Sequence, residues 1–118
     1  MSFNTVYSDL ECPFCHEKVQ SGVGFRWGTI ANIKYKRGDR LDWSRGPTRP
    51  SAKPDARVVK TVGYFNCDNI RCSTWQDCYP AVQRALVTIE ADRIKDVSVF
   101  DGDASDDGFD IIEPKDLS

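Results

Sequence analysis

Histidine and methionine are nearly missing from this chain. Among 118 residues His16 is the one histidine and Met1 the one methionine. With a single imidazole, next to a cysteine, no Ser/His/Asp arrangement is assignable. A haem iron would also find almost no choice of second axial ligand, which is commonly His or Met. No glycine-rich phosphate loop is present. No apolar run approaches the roughly 20 residues that a membrane-spanning helix needs, so no membrane is expected as a partner. The N-terminal stretch MSFNTVYSDLE lacks both a basic n-region and an apolar h-region and does not read as a secretory signal. A cytoplasmic protein is the expectation, and there cysteines serve metals or redox chemistry more often than structural disulfides. No internal repeat is visible, and the length suits one domain with a modest core.

Net charge is small, but the charges are unevenly placed. The net charge is −2, yet residues 26–60 hold ten Lys/Arg against three Asp/Glu, and residues 90–118 the reverse. That split predicts a basic surface on a domain over residues 1–100 and a loose acidic tail over 101–118. A tail folded over the basic patch would compete there with a polyanion. The tail stretch DGDASDDGFDIIE also echoes a calcium loop at Asp103, Ser105 and Asp107. Its closing glutamate is one position out and no helices flank it, so a loose tail is the better reading.

Periodicity points to strands. From Val23 to Trp43 the odd positions carry Phe25, Trp27, Ile33, Tyr35, Leu41 and Trp43, and the even positions carry Arg26, Asn32, Lys34, Lys36 and Arg40. Alternation with period two places the first set against a core and the second in water. Gly28 with Thr29 and Gly38 with Asp39 are turn or bulge positions. Residues 44–56, with three prolines, read as a long exposed loop. RVVKTVGYFNC then reads as a strand running into Cys67. Over 81–92 a helical stripe of Val82, Ala85, Leu86 and Ile89 competes with a hairpin continuing into ADRIKDVSVF. The β-branched run Val87-Thr88-Ile89 favours the hairpin.

Five cysteines remain, and an odd number argues against a closed disulfide framework. They fall into two groups, Cys12/Cys15 and Cys67/Cys72/Cys78. Cys12-Pro13-Phe14-Cys15 has the spacing of a metal knuckle, of a thioredoxin-type dithiol and, with His16, of a c-type haem attachment signal. The haem reading lacks an export signal and axial ligands, and no haem is expected. The dithiol reading lacks the helix that should follow the motif. A knuckle, by contrast, needs a second thiol pair, and the downstream group supplies one. Pro13 pre-sets the turn. His16 occupies the position after the second cysteine, where φ is often positive, and histidine tolerates that conformation.

On CPFC at 12–15 and CDNIRC at 67–72 the chain resembles the zinc-ribbon family of rubredoxin-like knuckles. It departs from that pattern in the four residues between Cys67 and Cys72 and in the 51 residues between Cys15 and Cys67. The resemblance implies a mostly β fold, a small antiparallel sheet with a long loop insertion, and Zn2+ held by Cys12, Cys15, Cys67 and Cys72. Cys78 stands as the alternative ligand, leaving one thiol spare. An Asx turn at Asp68-Asn69 would accommodate the wider second loop. Four thiolates close a zinc site and leave no position to activate water, so the zinc is expected to be structural and the chain not an enzyme.

The expected function is therefore a protein-interaction module with an unknown protein partner, using the proline loop and the basic sheet face. The alternative is a nucleic-acid-binding ribbon. Lys34, Lys36, Arg37, Arg40, Arg45, Arg49 and Lys53 would then touch phosphates, and Trp43 or Tyr35 would stack on bases. A CxxC dithiol protein comes third.

Overall fold

The computed structural model describes residues 3–44, 46–50, 53, 55, 57–76, 79–80, 82–100 and 111–113. Among these there is no helix. The strands are β1 (Asn4–Tyr7), β2 (Val23–Phe25), β3 (Gly28–Thr29), β4 (Lys34–Lys36), β5 (Thr48–Arg49), β6 (Val58–Phe65), β7 (Trp75–Gln76), β8 (Tyr79–Pro80), β9 (Gln83–Glu90), β10 (Arg93–Val99) and β11 (Ile111–Glu113). The ambiguous segment at 81–92 is strand, and it forms the expected hairpin with β10. Ala91 and Asp92 make its turn, both at positive φ.

Seven strands form one sheet in the order β10-β9-β6-β2-β1-β4, with β11 also paired to β6. The sheet is mixed, not purely antiparallel, because β1 and β4 run parallel. The physical reason lies in the long stretch between the cysteine groups. It carries the chain back along β1 and lays β4 on the open side of that strand, so the expected insertion is largely wall. Within the proline-rich stretch, Thr48 and Arg49 likewise pair with β3 instead of staying in a loop. Beyond β4 the sheet curls until its ends meet. Gly38 N donates to Ile94 O (2.7 Å), Leu41 N to Asp92 O (2.9 Å) and Ile94 N to Asp39 O (3.0 Å).

The alternation read from 23 to 43 holds except around β3, where Arg26 is half-buried and residues 27–30 are all buried. Phe25, Trp27, Tyr35 and Leu41 are buried in the main core, with Ile33 and Trp43 packed against it. Lys34, Lys36 and Arg40 face solvent. Phe25 meets Tyr35, and Trp27 meets Trp43 edge-on, each at 5.9 Å between ring centroids, an arrangement that suits the ring quadrupoles. From the other side, Val59, Val87 and Ile89 complete the core through the β6–β9 ladder.

Two features needed the tertiary structure to appear. Asn4 is fully buried, yet all its amide atoms are used: Nδ2 donates to Thr29 O (2.8 Å) and Trp27 O (3.3 Å), and Oδ1 accepts from Ala31 N (3.3 Å) and Ile33 N (3.1 Å). A satisfied buried amide of this kind fixes β1 against the 27–33 segment, whereas an unsatisfied one would cost stability. Gly63 lets β2 approach β6 closely, since a Cβ there would lie 2.7 Å from both Gly24 O and Val23 Cγ1.

This topology positions the cysteines. The β1–β2 connection holds Cys12 and Cys15, and the β6–β9 connection holds Cys67 and Cys72. Because β2 and β6 are antiparallel neighbours joined at Gly24 and Tyr64, both connections leave the sheet at the same end. Ile111–Glu113, inside the segment expected to be a loose tail, runs antiparallel to β6. The remainder of 101–118, including the calcium-like positions, lies outside the described residues.

Candidate metal centre

The first cysteine loop is a tight reversal. Val19 N donates to Leu10 O (2.8 Å), Cys12 N to Glu17 O (2.9 Å) and His16 N to Cys12 O (2.9 Å). His16 takes φ 64, the left-handed turn position expected for it, and its side chain is exposed. Backbone N–H groups inside this turn face the Cys12 sulfur, as a knuckle requires.

The second loop is wider, and two adjacent side chains organise it differently. Asn69 makes the local Asx turn, its Oδ1 accepting from Arg71 N (3.0 Å), while Cys72 N donates to Asn69 O (2.9 Å). Asp68 instead reaches across to the exit of the first loop, where its Oδ2 accepts from Ser21 N (3.0 Å) and Gln20 N. The expectation of one Asx turn at Asp68-Asn69 thus resolves into a turn residue and a clasp between loops.

All four sulfurs converge. The Sγ atoms of Cys12, Cys15, Cys67 and Cys72 lie within 4.8 Å of one another. Cys12 to Cys72 is 3.7 Å and Cys15 to Cys67 is 3.4 Å. These cysteines are free thiols. Metal–sulfur bonds of about 2.3 Å give a tetrahedron with edges of about 3.8 Å, so the cluster has the dimensions of a four-thiolate metal site. An all-sulfur tetrahedral donor set suits zinc or iron. His16 is not in this group. Cys78, the alternative ligand, lies outside the described residues.

The surroundings bias the thiols. Burial raises the Cys12 thiol, but hydrogen bonds from the Cys15 and Phe14 amides and from Gln83 outweigh it, and the net shift is downward. Gln83 Nε2 stands 3.6 Å from Cys12 Sγ. At Cys72, hydrogen bonds from the Thr74 hydroxyl and then the Thr74 amide bring the thiol down to about 6. The Thr74 hydroxyl is buried beside this thiol and has no partner at full hydrogen-bond geometry. Burial pushes Cys67 up to about 12. Without a cation the centre therefore mixes one ready thiolate with one reluctant thiol. A bound cation removes that reluctance, because its charge offsets burial, and protons leave as it binds.

Trp75 closes the site from one side. It packs against the buried cysteines, and its Nε1 donates to Cys67 O (3.0 Å). Sequence reasoning missed Gln83, Thr74 and Trp75 as supporting residues. The one available signal was that Thr74 and Trp75 closely follow Cys72, since Gln83 reaches the site only through the β6–β9 pairing of Phe65 with Gln83.

The basic residues separate into two groups. Lys34, Lys36 and Arg37 are exposed along β4 and the turn after it. Arg40 and Lys53 instead approach Asp92, at 3.7 and 3.0 Å. Trp43 Nε1 donates to the same carboxylate (2.8 Å) while its ring packs on Trp27. Arg49 is half-buried in β5, and Arg45 lies outside the described residues. Tyr35 is buried, and its hydroxyl accepts from Asp42 N (3.1 Å). The aromatics suggested for base stacking are therefore core or core-edge groups. No helix among the described residues is long and apolar enough to cross a membrane.

No protein-family model, curated protein or solved structure matches this chain.

Proposed function

We propose that the chain is a zinc-stabilised, non-catalytic β domain that acts as a protein-interaction module in the cytoplasm. One observation carries the reading: four thiols from two separate connections meet at one end of the sheet with tetrahedral dimensions. Cys12, Cys15, Cys67 and Cys72 supply four ligands and leave no position for substrate or water, which is the signature of a structural site. Gln83 donates to the Cys12 sulfur, and Trp75 packs against the cysteines. Zinc bound there locks the two connections together and presents the loops of both as one rigid tip.

Native mass spectrometry with metal analysis and thiol counting tests this. The expected result is one zinc per chain and one alkylatable cysteine, Cys78. Zero metal with five reactive thiols would overturn the reading, and an iron-coloured protein would change the metal. A second reading, nucleic-acid binding, draws on Lys34, Lys36 and Arg37. Lys36 and Arg37 line a depression of about 400 Å³ with Tyr7, Ser8 and Asp9. Polyanion binding there would weaken steeply with salt, whereas protein-partner binding would not.

A further inference from the structure

β1 and β4 run parallel and end together, with Tyr7 opposite Lys36 as their last pair. Beyond that pair the two chains part. One leaves through Ser8 and Asp9 toward the first cysteine loop, and the other turns back through residues 36–39. Parallel neighbours that diverge in this way open a crevice at their carboxyl ends, the position at which open parallel sheets take ligands. Here the crevice is a cavity of about 400 Å³ lined by Tyr7, Ser8, Asp9, Lys36 and Arg37.

Its lining holds donors without acceptors. Lys36 and Arg37 are exposed, and among the described residues their side chains have no hydrogen-bond or ion-pair partner. Arg40 and Lys53, by contrast, are drawn to Asp92. Ser8 Oγ is buried and meets no partner either, an exception to the rule that buried hydroxyls are hydrogen-bonded. Tyr7 stands beside Lys36 on the outer face of the sheet, since the two are opposite in register and both exposed. Asp9 is the one acid in the lining, and Lys18 Nζ lies 3.9 Å from its Oδ1. The frame is fixed. Lys36 N donates to Asp39 Oδ2 (2.8 Å) and Asp39 N to Lys36 O (3.0 Å), while Gly38 and Asp39 are tied to Ile94. Both cations thus stand on backbone that needs no ordering when a ligand arrives.

We infer that this cavity is a binding site for a single phosphoryl group, that of a phosphate monoester. The Arg37 guanidinium offers a planar fork that matches two phosphoryl oxygens, and the Lys36 ammonium supplies a compact charge. Two cations suit a monoester, which carries about −1.5 to −2 at pH 7. The Tyr7 and Ser8 hydroxyls donate to the remaining oxygens, Ser8 by turning about one side-chain bond that no hydrogen bond restrains. A continuous nucleic-acid backbone fits less well, because it needs a stripe of free cations. Asp9 repels such a backbone, and Asp92 already engages Arg40 and Lys53. The inference goes beyond the metal-organised module, since no cysteine takes part.

The test is an amide NMR titration of the full chain, its zinc content measured, with inorganic phosphate and with O-phospho-L-serine. Each is compared with sodium chloride at matched ionic strength. The amides of residues 7–9 and 36–37 should shift and saturate with either phosphate and stay in place with chloride. Lys36→Ala and Arg37→Ala should each weaken phosphate about tenfold, because each removes a charge-assisted hydrogen bond. Both side chains are exposed, so the fold should survive. Lys34→Ala removes the same charge outside the cavity and, screened by salt, should change affinity less than about twofold. Ser8→Ala should weaken phosphate, Ser8→Thr should keep it, and Asp9→Asn should strengthen it by removing a like charge. A phosphoserine peptide that binds far more tightly than O-phospho-L-serine makes a phosphorylated partner the source, and equal affinity makes it a small monoester; both uphold the site. Shifts that chloride reproduces, or equal losses in Lys34→Ala and Lys36→Ala, reduce the cavity to nonspecific ion attraction and overturn the proposal. So does a single-stranded oligonucleotide that binds while inorganic phosphate moves none of these amides. Full zinc without a phosphate response sinks this site alone, and a phosphate response without zinc sinks the metal reading alone.

Discussion

Around Phe25 and Trp27, fifteen buried apolar side chains fill the inside of the curled sheet, whereas around Cys12 the buried cluster is three cysteines with Cys15 and Trp75 against it. The first region gains its stability from apolar area removed from water and from continuous ladders between long strands. The second has almost no apolar volume. It is held by turn hydrogen bonds, the Asp68 clasp and whatever the sulfurs bind. One chain thus contains a body that packing can sustain and a tip whose four cysteines could hold a metal ion. Because the sheet's own strands supply a core, a metal bound at the cysteines would have only one end of the fold to organise.

Chelation is the sharpest way to break that comparison. Zinc removal should abolish amide protection across residues 10–21 and 66–76 while β6, β9 and β10 keep theirs, read by hydrogen exchange. Loss of protection everywhere would show that the two regions fold as one. Next in size is Phe25→Ala, which should cost about 3–5 kcal/mol by truncating a fully buried ring. Denaturant unfolding followed by circular dichroism checks it, and the zinc site should fail only with the body. Gln83→Ala should weaken zinc affinity about tenfold or more, with an unchanged melting temperature for the body, because it removes a donor to the Cys12 sulfur. Competition against a chromophoric chelator measures it. His16→Gly should change stability by less than about 1 kcal/mol and in the stabilising direction, since glycine adopts φ 64 without a Cβ penalty.

The smallest effect belongs to the body's surface. The Lys95 ammonium, with Arg57 further off, holds the Glu90 carboxyl below its ordinary range. A lowered carboxylate contributes stability above its unfolded pKa and loses it as pH falls through the folded value. Glu90→Gln should therefore lower stability slightly at neutral pH, leave it unchanged at low pH and so flatten the acid limb of the pH–stability profile, the effect being small because the Lys95 partner is exposed.

Much of this was legible in the residues themselves, and the exceptions have physical causes. Alternation along Phe25, Trp27, Tyr35 and Leu41 revealed strands because one face is buried and the other wet. The β-branched run at Val87–Ile89 overrode a helical stripe because those side chains fit a pleated surface better than a helix. CPFC announced a knuckle because its spacing and proline fix a tight turn locally. The parallel β1–β4 pair was not legible, because it depends on where a distant segment returns. Nor was the hydrogen bond from Trp43 Nε1 to Asp92, which ties a core-edge ring to the turn between β9 and β10.

By itself, the sequence determined strand-forming segments, the knuckle at 12–15, the positive φ at His16 and the charge split, all properties of neighbours along the chain. Tertiary structure decided which thiols meet, because only the antiparallel contact of β2 with β6 brings Cys67 and Cys72 beside Cys12 and Cys15. It also decided that Asn4 is a buried strut, that Asp68 clasps the two loops, and that an acidic stretch contributes a strand to β6. Those outcomes depend on contacts between residues tens of positions apart, and local pattern carries no record of them.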